Sequence, residues 1–158
     1  MSYELNALLS TAELLDVVAA EVPVARVARL AQGLALIPMT DRLHAVLSNP
    51  EGRDQPGFTR FPAGFARRLE AWSQAGPIAY VEAELQGGGE VQQAAVWVHG
   101  RIALGPLRTG EGDPRPPEGG AISQALRRLG ATPGEDGTDE FAAVGLDRLH
   151  RSADWLPQ

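Results

Sequence analysis

The sequence predicts an α+β fold, a mostly antiparallel sheet with helices packed on one face. Three observations carry this. First, Pro77 to Pro106 reads as three short β-rich runs broken by two Gly-containing turns. Strands joined by so few residues must run antiparallel, because a parallel return needs a long crossover. Second, Phe65, Leu69 and Trp72 recur at helical spacing within Ala63 to Ala75. Third, the order strand, helix, hairpin, helices, meander, helices is not the strict strand–helix alternation of a parallel sheet.

Tyr3 to Leu9 opens the chain as a strand. Thr11 is placed to start a helix over Ala12 to Ala20, with Leu14, Leu15, Val17 and Val18 as its apolar stripe. Pro23 separates that helix from Val24 to Leu30, which forms a hairpin with Leu34 to Met39 about a Gln32-Gly33 turn. Thr40-Asp41 caps a short helix, Arg42 to Leu47, with Leu43, Val46 and Leu47 inward. Ser48 to Pro62 is rich in Gly, Pro and Asp and reads as a flexible loop. The helix Ala63 to Ala75 ends at Gly76-Pro77, since Gly favours a helix C-terminus and Pro cannot continue one. After the meander, Leu107 to Gly120 is a second Gly/Pro loop. Ala121 to Leu129 is a helix stopped by Gly130, and Asp139 to Leu149 is weakly helical because Gly145 interrupts it. A single domain over residues 1–158 accommodates all of this.

Composition excludes several kinds of chemistry. There is no cysteine, hence no disulfide, thiolate metal site or cysteine nucleophile. There is no lysine either, which removes Schiff-base and P-loop mechanisms. The net charge of −6 is uneven: acids exceed arginines by one up to Gly76 and by five from Pro77 onward. That bias is opposite to a nucleic-acid binder's and suits a basic protein partner. No basic leader with a long apolar core opens the chain and no apolar run approaches membrane-spanning length, so the expected location is the cytoplasm, with no membrane partner.

The first strand of the meander carries the candidate site. Ala79, Val81, Ala83 and Leu85 share one face and pack on helices, foremost Ala63 to Ala75; Tyr80, Glu82 and Glu84 share the other and look toward solvent or a cleft. Carboxylates at i and i+2 sit roughly 7 Å apart, a separation that suits a cationic partner, an acid/base pair, or a hard cation if Glu90 joins them. Gly87-Gly88-Gly89 lacks the strand–loop–helix setting of a phosphate cradle and reads as a hairpin loop. His44, His99 and His150 show no metal-ligand spacing, and no catalytic residue, metal site or cofactor is assigned. Trp155 either docks the C-terminal segment or anchors a partner. The partner-binding set is therefore Tyr80, Glu82, Glu84, Glu90 and Trp155.

Several runs together carry a resemblance: Ala79-Tyr-Val-Glu-Ala-Glu84, the Gly-rich loop through Glu90 and Gln92, Ala94-Ala-Val-Trp97, Leu104-Gly-Pro106, Ile122 to Gly130, and Asp139-Glu-Phe141 through Gly145 to Arg148. Over most of its length, and most in its second half, the chain resembles a group of small uncharacterised proteins from high-GC bacteria. In size, charge and composition it is similar to immunity proteins of bacterial polymorphic toxins. That likeness implies a cytoplasmic binding module that occludes a toxin's active site. Two alternatives stand beside it: a small enzyme or ligand-binding protein with Glu82 and Glu84 in a cleft, and a subunit that self-associates into a homodimer through an open edge at Ile102 to Leu104.

Overall fold

The computed structural model describes residues 3–52, 55–86, 89–110 and 119–156. Six strands form one antiparallel sheet in the order β2-β3-β1-β4-β5-β6. They are β1 (Tyr3–Thr11), β2 (Ala28–Arg29), β3 (Leu34–Pro38), β4 (Ile78–Gln86), β5 (Gly89–Val98) and β6 (Arg101–Thr109). The helices are α1 (Ala12–Glu21), α2 (Asp41–Leu47), α3 (Ala66–Trp72), α4 (Ala121–Arg128) and α5 (Glu140–Ala143), followed by a closing 3₁₀ turn at Ser152–Trp155. The α+β class and the antiparallel sheet stand as expected.

The helices, however, cover both faces of the sheet rather than one. On the first face, Leu5, Ala7 and Leu9 of β1, Ala79, Val81 and Ala83 of β4 and Ala94 and Val96 of β5 cluster with Ile122, Ala125 and Leu126 of α4 and with Val144, Leu146 and Trp155. On the second, Leu8, Ile78, Tyr80, Ala95 and Trp97 cluster with α1, α2 and α3 through Leu14, Leu15, Val18, Leu43, Leu47, Leu69 and Trp72. So α3 lies on the Tyr80 face, not on the Ala79 face. Period-two alternation separates the two faces of a strand but does not say which helix covers which. The two-sided burial has its cause in β3, whose Leu-Ala-Leu-Ile-Pro run is buried throughout; a continuous apolar run is what a strand covered on both faces requires. Each fully buried Leu or Ile contributes roughly 1.5–3 kcal/mol.

Local chemistry sets the element ends. Thr11, Thr40 and Asp139 cap α1, α2 and α5 by accepting from the N–H groups of Leu14, Leu43 and Ala142. Gln32 and Gly33, both at positive φ, make the β2–β3 turn, and His99 and Gly100 make the β5–β6 turn in the same way. Strand β2 is shorter than expected because Pro23 and a turn closed by the Ala25 N–H on the Val22 carbonyl take up its first residues. Helix α3 stops at Trp72 because Ser73 is diverted: its carbonyl accepts from His99 N and its Oγ from Gly100 N, tying the helix end to the β5–β6 turn. Val46, expected inward, is 50% exposed, and Leu43 and Leu47 alone hold α2 down.

The expected loop Leu107 to Gly120 begins later, because Leu107, Arg108 and Thr109 pair with Ala94, Gln93 and Gln92 as the end of β6. Gly105-Pro106 marks a register shift within the strand rather than its end. Of the expected loops, residues 53–54 and 111–118 lie outside the described residues, as do Gly87 and Gly88 of the hairpin loop.

Strand β3 ends at Pro38, opposite Ala7, leaving the start of β1 without a strand on that side. The C-terminal segment fills the gap. Glu4 N donates to the His150 carbonyl (2.7 Å), Asn6 N donates to Ser152 Oγ (2.9 Å), and the Glu4 carboxylate accepts from Ser152 N and Oγ.

Candidate functional site

On the second face, the registers of β1, β4, β5 and β6 arrange side chains in cross-strand rows. Leu8, Tyr80 and Ala95 form an apolar row; Asn6, Glu82, Gln93 and Arg108 form the next; Glu4, Glu84 and Val91 form the last. Helices and a short loop cover the apolar row. The two polar rows stay open and floor a cleft of about 420 Å³, which Thr59 and Arg60 complete.

That loop, residues 57–61, is a strap held down at one carboxylate. Glu82 is only 4% exposed. Its Oε1 accepts from Thr59 N (2.7 Å) and Thr59 Oγ1 (3.0 Å), and its Oε2 from Arg60 N (2.7 Å) and the Tyr80 hydroxyl (2.8 Å). Four donors meet two oxygens, which satisfies the bonding capacity of a buried carboxylate. Phe58 and Phe61 fasten the rest of the strap. Both stand edge-on to the Tyr80 ring, at 4.9 and 5.1 Å between centroids, and Phe61 also packs on Phe65 and Trp97. The Arg60 guanidinium bonds Asp41 at the start of α2, and this hydrogen bond is the main cause that raises its pKa. Burial, and after it the charge of Glu82, push the Tyr80 hydroxyl far above its ordinary value.

The five expected partner residues therefore separate. Tyr80 is fully buried and belongs to the core. Glu82 lines the cleft but is engaged as the anchor of the strap. Glu84 is exposed at the cleft mouth, with no hydrogen-bond or ion-pair partner among the described residues. Glu90 pairs opposite Leu85, and cross-strand partners share a face, so it stands on the far side of the sheet, where it accepts from Gln92 Nε2 (2.7 Å). It cannot join Glu82 and Glu84. Trp155 is buried against the first face with Arg148 5.5 Å above its ring, so of its two expected roles it fills the docking one. Its Nε1 is buried without a partner among the described residues.

The structure adds Glu4, Asn6, Thr59, Arg60, Gln93 and Arg108 to the cleft. The polar positions Glu4 and Asn6 ahead of Leu8 repeat the Glu84, Glu82, Tyr80 gradient in reverse, a signal that becomes meaningful only once the two strands are known to pair. Glu4 lies directly opposite Glu84. Two carboxylates in that position, with Cβ atoms about 4.5–5.5 Å apart, repel and destabilise the sheet. Glu4 is fixed in place by Asn6 and Ser152, so it cannot turn away without losing those bonds. The cleft mouth thus carries two facing carboxylates; of its two arginines, Arg60 is bonded to Asp41 and lies within electrostatic reach of Glu4, and Arg108 also has a partner.

The cleft lining holds no histidine, and Glu82 is saturated with donors. Among the described residues no group of three or more His, Asp or Glu is placed to hold a metal ion, and no helix is long and apolar enough to cross a membrane. No family model, curated protein or solved structure matches the chain.

Proposed function

We propose that this chain is a cytoplasmic protein-binding module of the immunity type, which receives a basic segment of a cognate bacterial toxin in the cleft and so occludes the toxin's active site. One observation carries the reading: Glu4 and Glu84 face each other at the cleft mouth, a like-charge pair that weakens the free fold. An incoming guanidinium or ammonium group relieves that repulsion on binding. The acidic excess of the second half of the chain adds long-range attraction for such a partner. The enzyme reading has less support, because Glu82 is committed to holding the strap. Self-association through β6 also has less, because that edge carries register shifts, Pro106, Arg101 and Arg108, features that discourage strand addition.

The test uses Glu84→Gln. The variant removes the repulsion while keeping size and shape, so the free protein gains about 0.2–1 kcal/mol in chemical denaturation. Calorimetric titration with the basic protein encoded beside this chain's gene should at the same time show about tenfold weaker binding, the loss of one charge-assisted contact. Unchanged affinity, or the lack of any basic neighbour that binds, defeats the reading.

A further inference from the structure

We propose that the strap 57–61 is a latch that opens as a unit while the sheet stays folded, uncovering an aromatic floor continuous with the cleft. Its attachments are few and concentrated. Among the described residues no backbone–backbone hydrogen bond ties 57–61 to any strand; the contacts of Thr59 and Arg60 with the sheet all converge on Glu82. The flanking segments are fixed independently: Asn49 N donates to the Ala63 carbonyl and Phe65 N to the Pro62 carbonyl. Gly57 (φ 97°), at the start of the strap, has a backbone conformation that other residues rarely adopt and supplies a pivot there, while the far end is bounded by the bonds that hold Pro62 and Ala63. Local opening draws on segments with few backbone bonds to the rest of the fold, and this one, held by Glu82, the Arg60–Asp41 pair and two aromatic rings, fits that description.

Opening breaks the bonds from Thr59 and Arg60 and lifts Phe58 and Phe61 off Tyr80, Phe65 and Trp97. Those three residues are nearly completely buried when the strap is closed. With it open, the polar cleft gains an apolar end, and the two together form a site for a segment that carries both a cation and an aromatic or aliphatic side chain. The opening itself does not depend on what the cleft binds; the cationic half of that site rests on the proposed function.

The absence of cysteine makes a direct test available. Ala95 lies opposite Tyr80 on the strap-covered face, and Ala94 lies on the other face; both are fully buried. Ala95→Cys and Ala94→Cys are made singly and labelled with a thiol reagent under native conditions, each with and without Glu82→Gln. The amide in Glu82→Gln can accept from only one of the two backbone N–H groups, leaving the other without its bond. The expected result is faster labelling at Ala95→Cys than at Ala94→Cys, with Glu82→Gln accelerating the former about tenfold and leaving the latter unchanged. Equal rates, or acceleration of both sites together, mean that the floor opens only by global unfolding and overturn the proposal. Should either cysteine variant fail to fold, hydrogen exchange in the chain without it decides: the Thr59 and Arg60 amides must exchange about tenfold faster in Glu82→Gln while those of β4 and β5 do not.

Discussion

At the scale of single residues, Glu82 shows how one position can be legible and still be misread. Its residue type and its place on a polar strand face follow from alternation along Tyr80, Glu82 and Glu84. Its partners, Thr59 and Arg60, lie more than 20 positions away in a loop that gives no periodic signal. Phe58 and Phe61, two aromatic residues in an otherwise polar stretch, are the one hint that this loop packs on something. Sequence treats the three residues of the row as equivalent, whereas the structure grades them from core through anchor to exposed rim. Tyr80 measures the strength of the anchor. Tyr80→Phe keeps the ring packing and removes one hydrogen bond to a buried carboxylate, and it should cost about 1.5–3 kcal/mol in urea denaturation. A loss below about 0.5 kcal/mol would mean that the two backbone donors alone satisfy Glu82.

At the scale of elements, most boundaries were legible where a capping or turn residue marks them. Thr11, Thr40, Gln32-Gly33 and the His99-Gly100 turn were recognisable because each has a specific local chemistry. Helix α4 begins at Ala121 as expected, but what caps it was not legible. Its N-cap is Gly120, which offers no side chain, and the cap comes instead from the sheet: Gln92 Oε1 accepts from Ile122 N (3.0 Å) and Thr109 Oγ1 from Ala121 N (3.3 Å). Gly120 is needed for this, since a Cβ there would stand 2.8 Å from Gln92 Oε1. The same Gln92 donates to Glu90, so a residue read as part of the partner-binding set helps to orient the cap of a helix. Gln92→Ala should therefore destabilise the fold by about 1–2 kcal/mol, the range for a lost N-cap, although residue 92 is outside the helix it caps. Chemical denaturation checks this, and hydrogen exchange should show the loss concentrated in the first turn of α4.

At the scale of the whole molecule, the sheet's two-sided cover makes both tyrosines report on the integrity of the fold. Tyr3 donates to the Leu146 carbonyl and packs against Phe141, closing the first face; Tyr80 lies under the strap on the second. Both phenols are held well above their ordinary value of 10.0, in each case chiefly by burial and then by carboxylates, Glu90 for Tyr3 and Glu82 for Tyr80. The sign follows from which state keeps its protons. Below about pH 10 both phenols are protonated in the folded and unfolded chain alike, and their contribution is fully present. Above it, the unfolded chain releases protons that the folded chain retains, so stability falls as pH rises, by up to ~1.4 kcal/mol per pH unit for each tyrosine. These are the only two tyrosines in the chain. Base titration should therefore show the Tyr3 tyrosinate only with loss of far-ultraviolet ellipticity, whereas Tyr80, uncovered when the strap opens, should ionise at lower pH with the ellipticity intact. Tyr80→Phe should halve the steepness of the stability decline above pH 10, apart from its own cost at neutral pH. A tyrosinate signal near pH 10 with the ellipticity intact would show that one face of the sheet opens to solvent on its own. Tyr80→Phe would identify the face: a signal that it abolishes belongs to the strap side, and one that survives belongs to the side closed by Tyr3.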